Sequence, residues 1–301
     1  RIHEVIVNAD IACIGNYTQD TIVSAAGTRV VDGGAFNYAA HVAAGMGLRV
    51  GAVTRLAGEH WHVVRHLEGM GVEVLARPTP YSTCLRLEYP TANVDERVIY
   101  VTSTAGAFTP GEVQDLEAQA FVVGPTLRGE VGLDVIEVLA GKAGLLAADV
   151  QGWVRVERDG VLRYEAWPEQ PEFLRYIDIL KTDAVEAAAL TGETDLQAAA
   201  RALAAHGPQE IVLTHRNGLL VYAGGEVYET GFYPRQLVGR SGRGDTCLAA
   251  YTARRLGHPP AQATIWAAAA TSLKMEAEGP FRRTAADVEA LIQERYHGQS
   301  G

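Results

Sequence analysis

The sequence predicts an α/β protein, a doubly wound and mostly parallel sheet flanked by helices, with a small β-sheet lid. Three observations carry that expectation. Apolar runs of strand length recur between helical stretches. Two segments break the rhythm by alternating apolar with polar residues. The composition, 48% hydrophobic, 21% charged and 7% aromatic over 301 residues, is that of an ordinary folded protein.

The strand-length runs are Ile11 to Ile14, Val50 to Val53, Phe121 to Val123, Leu145 to Ala148, Ile177 to Leu180 and Ile211 to Leu213. Continuous apolar runs suit parallel strands covered on both faces. Helical spacing fills the intervals at Phe36 to Met46, Trp61 to Met70, Val131 to Leu139, Val185 to Leu190, Leu196 to Ala205, Thr246 to Leu256 and Ala261 to Met275, which predicts helices on both sides of the sheet. Thr21 to Asp32 and Val74 to Val101 depart from this pattern. Within the second, Ser82 to Tyr89 and Arg97 to Val101 read as antiparallel strands, and the two regions are expected to pair as a projecting sheet. The chain is thus read as one α/β domain over 1–301 with lid segments at about 16–33 and 74–103.

The charge balance, 26 basic against 36 acidic residues and a net −10, gives a phosphate backbone no global attraction, so nucleic acid is not an expected partner. Cys13, Cys84 and Cys247 stand far apart with no C-x-x-C pair, which argues against a disulfide framework or thiolate zinc site and for a reducing cytoplasm. Arg1 to Gly15 holds no long apolar stretch ahead of a small-residue cleavage site, and no later run reaches the roughly 18 apolar residues of a membrane span. A soluble, unexported protein with no membrane partner is expected.

The sharpest local feature is Ser241-Gly242-Arg243-Gly244-Asp245-Thr246-Cys247-Leu248-Ala249-Ala250, a glycine-rich turn opening a helix that Gly257 and Pro259 close. A helix N-terminus with uncovered N–H groups binds anions, and glycine lets a phosphate approach the backbone. Asp245, in the first turn, is favoured by the helix dipole and stands beside that anion. A carboxylate next to an anion hole suits phosphoryl transfer: it accepts the proton of an acceptor hydroxyl while the amides hold the transferred group. The plain alternative is a capping turn. Gly239-Arg240-Ser241-Gly242-Arg243 misses a G-x-S-x-G nucleophile elbow by its last residue, and Arg243-Gly244-Asp245 opens a helix, unlike an adhesion loop. Neither a P-loop nor a clean G-x-G-x-x-G occurs.

With these motifs the chain resembles the ribokinase-like sugar kinases, the phosphofructokinase-B type, over nearly its whole length. The family's G-A-G-D-like run corresponds to Gly242-Arg243-Gly244-Asp245, which implies Asp245 as general base and Gly242, Arg243 and Gly244 with it as the anion hole. Gly33-Gly34-Ala35-Phe36-Asn37 matches the family's sugar-binding Gly-Gly segment, and Asp20 falls at its hydroxyl-binding aspartate. The N-x-x-E element appears as Asp183-Ala184-Val185-Glu186, followed by Leu190-Thr191-Gly192, so Glu186 and Asp183 are implied in the magnesium and phosphate network. Thr214 and Gly218 fall where relatives meet the nucleotide. The chain also departs from the family: Arg243 replaces a small residue, Arg240 a small residue or proline, Asp183 an asparagine, and Arg216 a glycine. Gly239 replaces the aspartate that serves a monovalent cation in dependent relatives.

Residue chemistry points the same way. Gly33 and Gly34 permit close backbone approach to a polyol, and Asn37 and Asp20 supply donors and acceptors for hydroxyls. Asp183 and Glu186, three apart, are helix-face neighbours whose hard oxygens suit Mg2+ directly or through water. Alone, the glycine pair reads as a loop and the acidic pair as a solvated helix start. Asp149-Val150-Gln151-Gly152-Trp153-Val154-Arg155 follows a strand, where open α/β sheets bind ligands, making Asp149 and Gln151 acceptor-binding candidates. That segment resembles, more weakly, inositol-kinase-like members. His62 and His66, at i and i+4, have metal-ligand spacing but read better as solvent-facing histidines. The expected activity is ATP- and Mg2+-dependent phosphorylation of a sugar or cyclitol hydroxyl, inositol among them; the resemblance implies a homodimer through the lid, as relatives often pair there, while the sequence leaves the oligomeric state open. A nucleoside kinase and a catalytically altered ligand-binding or regulatory protein on the same fold are the alternatives.

Overall fold

The computed structural model describes residues 9–91 and 97–296. Residues 1–8 and 92–96, on which parts of the unexported-start and lid expectations fall, lie outside the described residues. In chain order the strands are β1 (Ala9–Ile14), β2 (Thr18–Ser24), β3 (Gly27–Gly33), β4 (Val50–Leu56), β5 (Glu73–Pro78), β6 (Thr83–Glu88), β7 (Val98–Ser103), β8 (Ala118–Val123), β9 (Leu145–Asp149), β10 (Arg155–Arg158), β11 (Val161–Tyr164), β12 (Ile179–Asp183), β13 (Glu210–His215), β14 (Gly218–Ala223) and β15 (Glu226–Gly231). The helices are α1 (Ala35–Gly45), α2 (His62–Gly69), α3 (Leu133–Ala140), α4 (Gln151–Val154), α5 (Gln170–Leu174), α6 (Ala184–Thr191), α7 (Leu196–Ala204), α8 (Arg243–Arg255), α9 (Pro260–Met275) and α10 (Ala285–Arg295). Among the described residues no helix is long and apolar enough to cross a membrane.

Nine strands form the central sheet in the order β15-β14-β13-β12-β9-β8-β1-β4-β5. From β13 to β5 every pairing is parallel, and β14 and β15 finish one edge as an antiparallel hairpin. The two-residue period of a strand divides β1 between two cores. Ile11 and Cys13 pack with α1, α2, α8, α9 and α10, whereas Ala12 and Ile14 pack with α3, α5, α6 and α7. The doubly wound expectation is met. From β1 the chain adds β4 and β5 on one side, then returns to add β8 and β9 on the other. That reversal opens a crevice beyond the carboxyl ends of the strands.

A second sheet of six strands, β10-β11-β7-β6-β2-β3, stands over that end. Its own core is small: Leu85, Leu87, Ile99, Leu127 and Leu162. Three details correct the sequence reading. β5, placed in the lid segment 74–103, pairs with β4 and forms the far edge of the central sheet. β2 and β6 pair in parallel, not antiparallel, because each leaves the carboxyl end of a parallel strand, β1 and β5, and so runs outward in the same direction. The hairpin β10–β11 joins the second sheet from outside both expected segments. Its turn is Asp159-Gly160, both at positive φ (52° and 77°), the dipeptide that a two-residue hairpin loop favours.

Candidate active site

The first turn of α8 meets the carboxyl ends of β9 and β12. Gly242 caps the helix in the left-handed region at φ 73°, and no side chain caps α8; the Arg243 N–H donates to the Arg240 carbonyl at 3.2 Å, which leaves the Gly244 and Asp245 amides of the first turn for a ligand. A Cβ on Gly242 would fall 2.2 Å from the Tyr38 ring, so glycine is required there by space as well as by φ. Gly244 rests against β12: a Cβ there would lie 2.7 Å from Lys181 Nζ. Lys181 is itself buried and ion-paired to Asp149 at 3.0 Å, and the other Asp149 oxygen accepts from the Gln151 N–H at 2.9 Å. Burial works against the Lys181 ammonium, but Asp149, Glu186 and Asp183 outweigh it and raise its pKa. Both Asp149 oxygens are thereby engaged in shaping the wall.

Asp245 is half-buried in this corner. Burial, and then the charge of Asp149, push its carboxyl up to about 6 against the pull of Lys181 and Arg155. A carboxyl poised near neutrality beside a helix N-terminus can accept a hydroxyl proton. On the next wall, Asp183 caps α6: its carboxylate accepts from the Glu186 N–H at 2.8 Å and Glu186 Oε2 accepts from the Asp183 N–H at 2.9 Å, a capping box. Glu186 is not the solvated helix start of the plain reading. It is buried, Oε1 has no hydrogen-bond partner, and burial lifts the carboxyl to about 7 despite Lys181. A partnerless carboxylate oxygen among hard donors fits a hydrated Mg2+. Thr214 lies beside Asp183 in the β12–β13 register.

The opposite wall comes from β2 and the start of α1. Gly34, at φ 97°, begins the helix with no side-chain cap, and a Cβ on it would fall 2.5 Å from the Asn16 carbonyl. A Cβ on Gly33 would lie 3.2 Å from Asp20 Oδ2. Around this turn, Oδ1 of Asn16, Asp20 and Asn37 are each buried without a partner. Burial pushes Asp20 up to about 6, with Thr18, Arg155 and Arg97 opposing. Three orphaned acceptors in one place call for hydroxyl donors.

Other expected positions lie elsewhere. Gly218 starts β14, where a Cβ would fall 2.2 Å from the Thr230 carbonyl, so the β14–β15 pairing alone requires a glycine. His62 and His66 are exposed and do not converge: His62 Nε2 lies 3.0 Å from Asp32 Oδ2, and His66 stacks on His41 at 5.4 Å. No group of three or more metal-ligating side chains occurs among the described residues. The Arg243 guanidinium extends to 5.6 Å from the Phe232 ring and feels Asp183, while Arg216 and Arg240 are exposed. Three residues of the site were missed. Lys181 was visible as a lone cation at the end of an apolar strand run. Asn16 lies in the polar turn after β1. Arg155 ends the segment that begins at Asp149; its Nε donates to Tyr164 Oη at 3.1 Å and its charge reaches Asp20, Asp245 and Glu186. Between Gln151 and Arg155, Trp153 stacks on Trp167 (4.9 Å, 8°) and donates from Nε1 to the Val131 carbonyl at 3.0 Å, fixing the segment.

Comparison with known proteins places the chain in a family. The family model for pfkB family carbohydrate kinases matches residues 4–282. A cytidine kinase of Thermococcus kodakarensis is 27% identical over 256 residues, 81% of this chain and 87% of its own. A pyrophosphate-dependent kinase of the ribokinase family, solved with a pyrophosphate analogue and myo-inositol, is 33% identical over 93% of this chain and 99% of its own, with a TM-score of 0.85. A pyrophosphate-dependent myo-inositol-1 kinase converted into a myo-inositol-3 kinase is 33% identical over 95% and 99%, with a TM-score of 0.85. An Arabidopsis thaliana ribokinase in complex with ribose and ATP, 19% identical over 95% and 99% with a TM-score of 0.77, shares the fold. The chain is a kinase of ribokinase-like α/β fold and belongs to the pfkB family of carbohydrate kinases.

Proposed function

We propose that this kinase phosphorylates a hydroxyl of a cyclitol, inositol first among the candidates. The observation that carries the reading is the set of partnerless buried oxygens on Asn16, Asp20 and Asn37 beside Gly33 and Gly34, facing a site whose carboxylate, Asp245, has a pKa near 6. Asn16, Asp20 and Asn37 hold acceptor hydroxyls. Asp245 takes the proton of the hydroxyl that attacks, and the amides of Gly242, Gly244 and Asp245 hold the phosphoryl oxygens, while the Arg243 amide is spent on the Arg240 carbonyl. Asp149 positions Lys181 and the amide of Gln151, a role more indirect than contact with the acceptor. Asp183 and Glu186 would hold Mg2+ through water, and that ion supplies charge neutralisation for the donor phosphates. Thr214 lies on the donor side, with Gly218 beyond it. The whole chain acts as one ribokinase-like unit, and the smaller sheet is its lid.

ATP is the donor that the sequence suggests. Inorganic pyrophosphate is the second reading, favoured by Arg243, a fixed cation on the Asp183 side of the anion loop where the family pattern has a small residue, and by the pyrophosphate-dependent relatives. An acceptor screen of inositols, pentoses, hexoses and cytidine, run with ATP and with pyrophosphate, tests both. Transfer to an inositol is expected; exclusive transfer to cytidine replaces the acceptor, and no transfer with any pair returns the chain to a ligand-binding role. Pairing through the lid is supported by exposed Val30, Val98 and Tyr164 on its strands, and sedimentation showing only a 32.2 kDa species rejects it. A cytoplasmic location is supported by three free cysteines.

A further inference from the structure

We propose that the Lys274 ammonium is a built-in cation that holds the anion loop in its binding shape, a positioning role resting on the reading that this loop receives the phosphoryl group. Lys274 lies in the last turn of α9 and is 2% exposed. Its Nζ donates to the Gly239 carbonyl at 3.5 Å and lies 5.9 Å from the centre of the Tyr38 ring. Those two groups bracket the loop. Gly239 is tied by its N–H to the Met275 carbonyl at 3.1 Å and has no room for a side chain, since a Cβ would fall 2.7 Å from the Ala277 carbonyl. Gly242, at the other end, rests on the Tyr38 ring. The segment Gly239–Gly242 is therefore gripped between the end of α9 and the face of α1, with one ammonium between the grips.

A lysine removed from water and given one long hydrogen bond is costly unless its charge is used. Here the charge meets the carbonyl end of α9, the Gly239 carbonyl, the Tyr38 ring face and, at longer range, Glu278 and Asp245. Burial pushes the ammonium down to about 8, against Glu278 and Asp245, so it stays mostly charged at neutral pH. In a trans peptide the carbonyl and the following N–H point opposite ways. Turning the Gly239 carbonyl toward Lys274 turns the Arg240 N–H away from it, which sets the backbone at the entrance to the loop.

Lys274→Met, which keeps the apolar stem, and Lys274→Ala, which leaves room for a small cation, are compared with the wild type. Three readouts are used: hydrogen exchange across Val238–Asp245, calorimetric titration with Mg2+-pyrophosphate, and phosphoryl transfer. Both variants should exchange faster in the loop but not in β8 or β9, and bind pyrophosphate about tenfold more weakly. Ammonium chloride should restore Lys274→Ala but not Lys274→Met, tetramethylammonium chloride should restore neither, and the wild type should respond to neither salt. Loop exchange equal to wild type in Lys274→Ala overturns the proposal, as does an equal loss in both variants with no ammonium effect. Should Lys274→Ala fold only in ammonium, the proposal stands; failure to fold in ammonium and sodium alike overturns it. A wild type that binds pyrophosphate and transfers no phosphoryl group to an inositol, from it or from ATP, overturns the proposed reaction alone, and exchange with its ammonium response still decides the role of Lys274.

Discussion

A carboxyl held near pKa 6 in the folded chain has two consequences of opposite sign at Asp245. Activity, measured as kcat/KM, should rise with pH through about 6 as the base loses its proton; a flat profile across that range removes Asp245 from the role. Stability should move the other way. The unfolded aspartate titrates near 3.8, so between about 4 and 6 the folded state keeps a proton that the unfolded state has released, and stability falls as pH rises through that window. Asp245→Asn removes this cost. Its melting temperature at neutral pH should exceed that of the wild type while kcat drops about 10²- to 10⁴-fold. Asn37→Ala removes one orphaned acceptor and should raise KM for the polyol about tenfold with a smaller change in kcat; steady-state kinetics with inositol checks it. At this scale the sequence was legible where a motif has a fixed spacing, as at Gly242–Asp245 and Gly33–Asn37. It was silent on Lys274 and showed Lys181 only as a lone cation after an apolar run, because the importance of both comes from burial against residues distant in the chain.

Helix ends are the elements on which the site depends. Asp183→Ala breaks the capping box of α6 and frees Glu186, and should cost about 1 kcal/mol in denaturant unfolding. Gly242→Ala combines a positive φ with a Cβ inside the Tyr38 ring, and should cost about 1–3 kcal/mol along with donor affinity. Helices and buried strands were legible because their apolar period is long and regular. β5 was misplaced because an edge strand, partly exposed on both sides, has the mixed pattern of a lid strand. β10 and β11 were missed because four residues each are too few to show a period, although Asp159-Gly160 marked the turn between them.

The whole molecule sets a large double-sided core beneath a small sheet whose buried apolar cluster has five members among the described residues. Opening free energy should follow that difference. Native-state hydrogen exchange is expected to be faster in β2, β6 and β7 than in β8 and β9, and saturating myo-inositol should slow the first group selectively. Equal protection of both groups would reject a movable lid. The ion pair Arg29–Glu278 ties β3 of the smaller sheet to the segment after α9, but its side chains are 52% and 44% exposed, and Arg29→Ala should cost less than about 1 kcal/mol. The parallel alignment of the two nearby indoles, Trp153 and Trp167, gives the protein an intrinsic optical handle. One ring belongs to the short helix joining Asp149 to Arg155, so ultraviolet emission and exciton-coupled dichroism can follow ligand arrival at that joint without any attached dye.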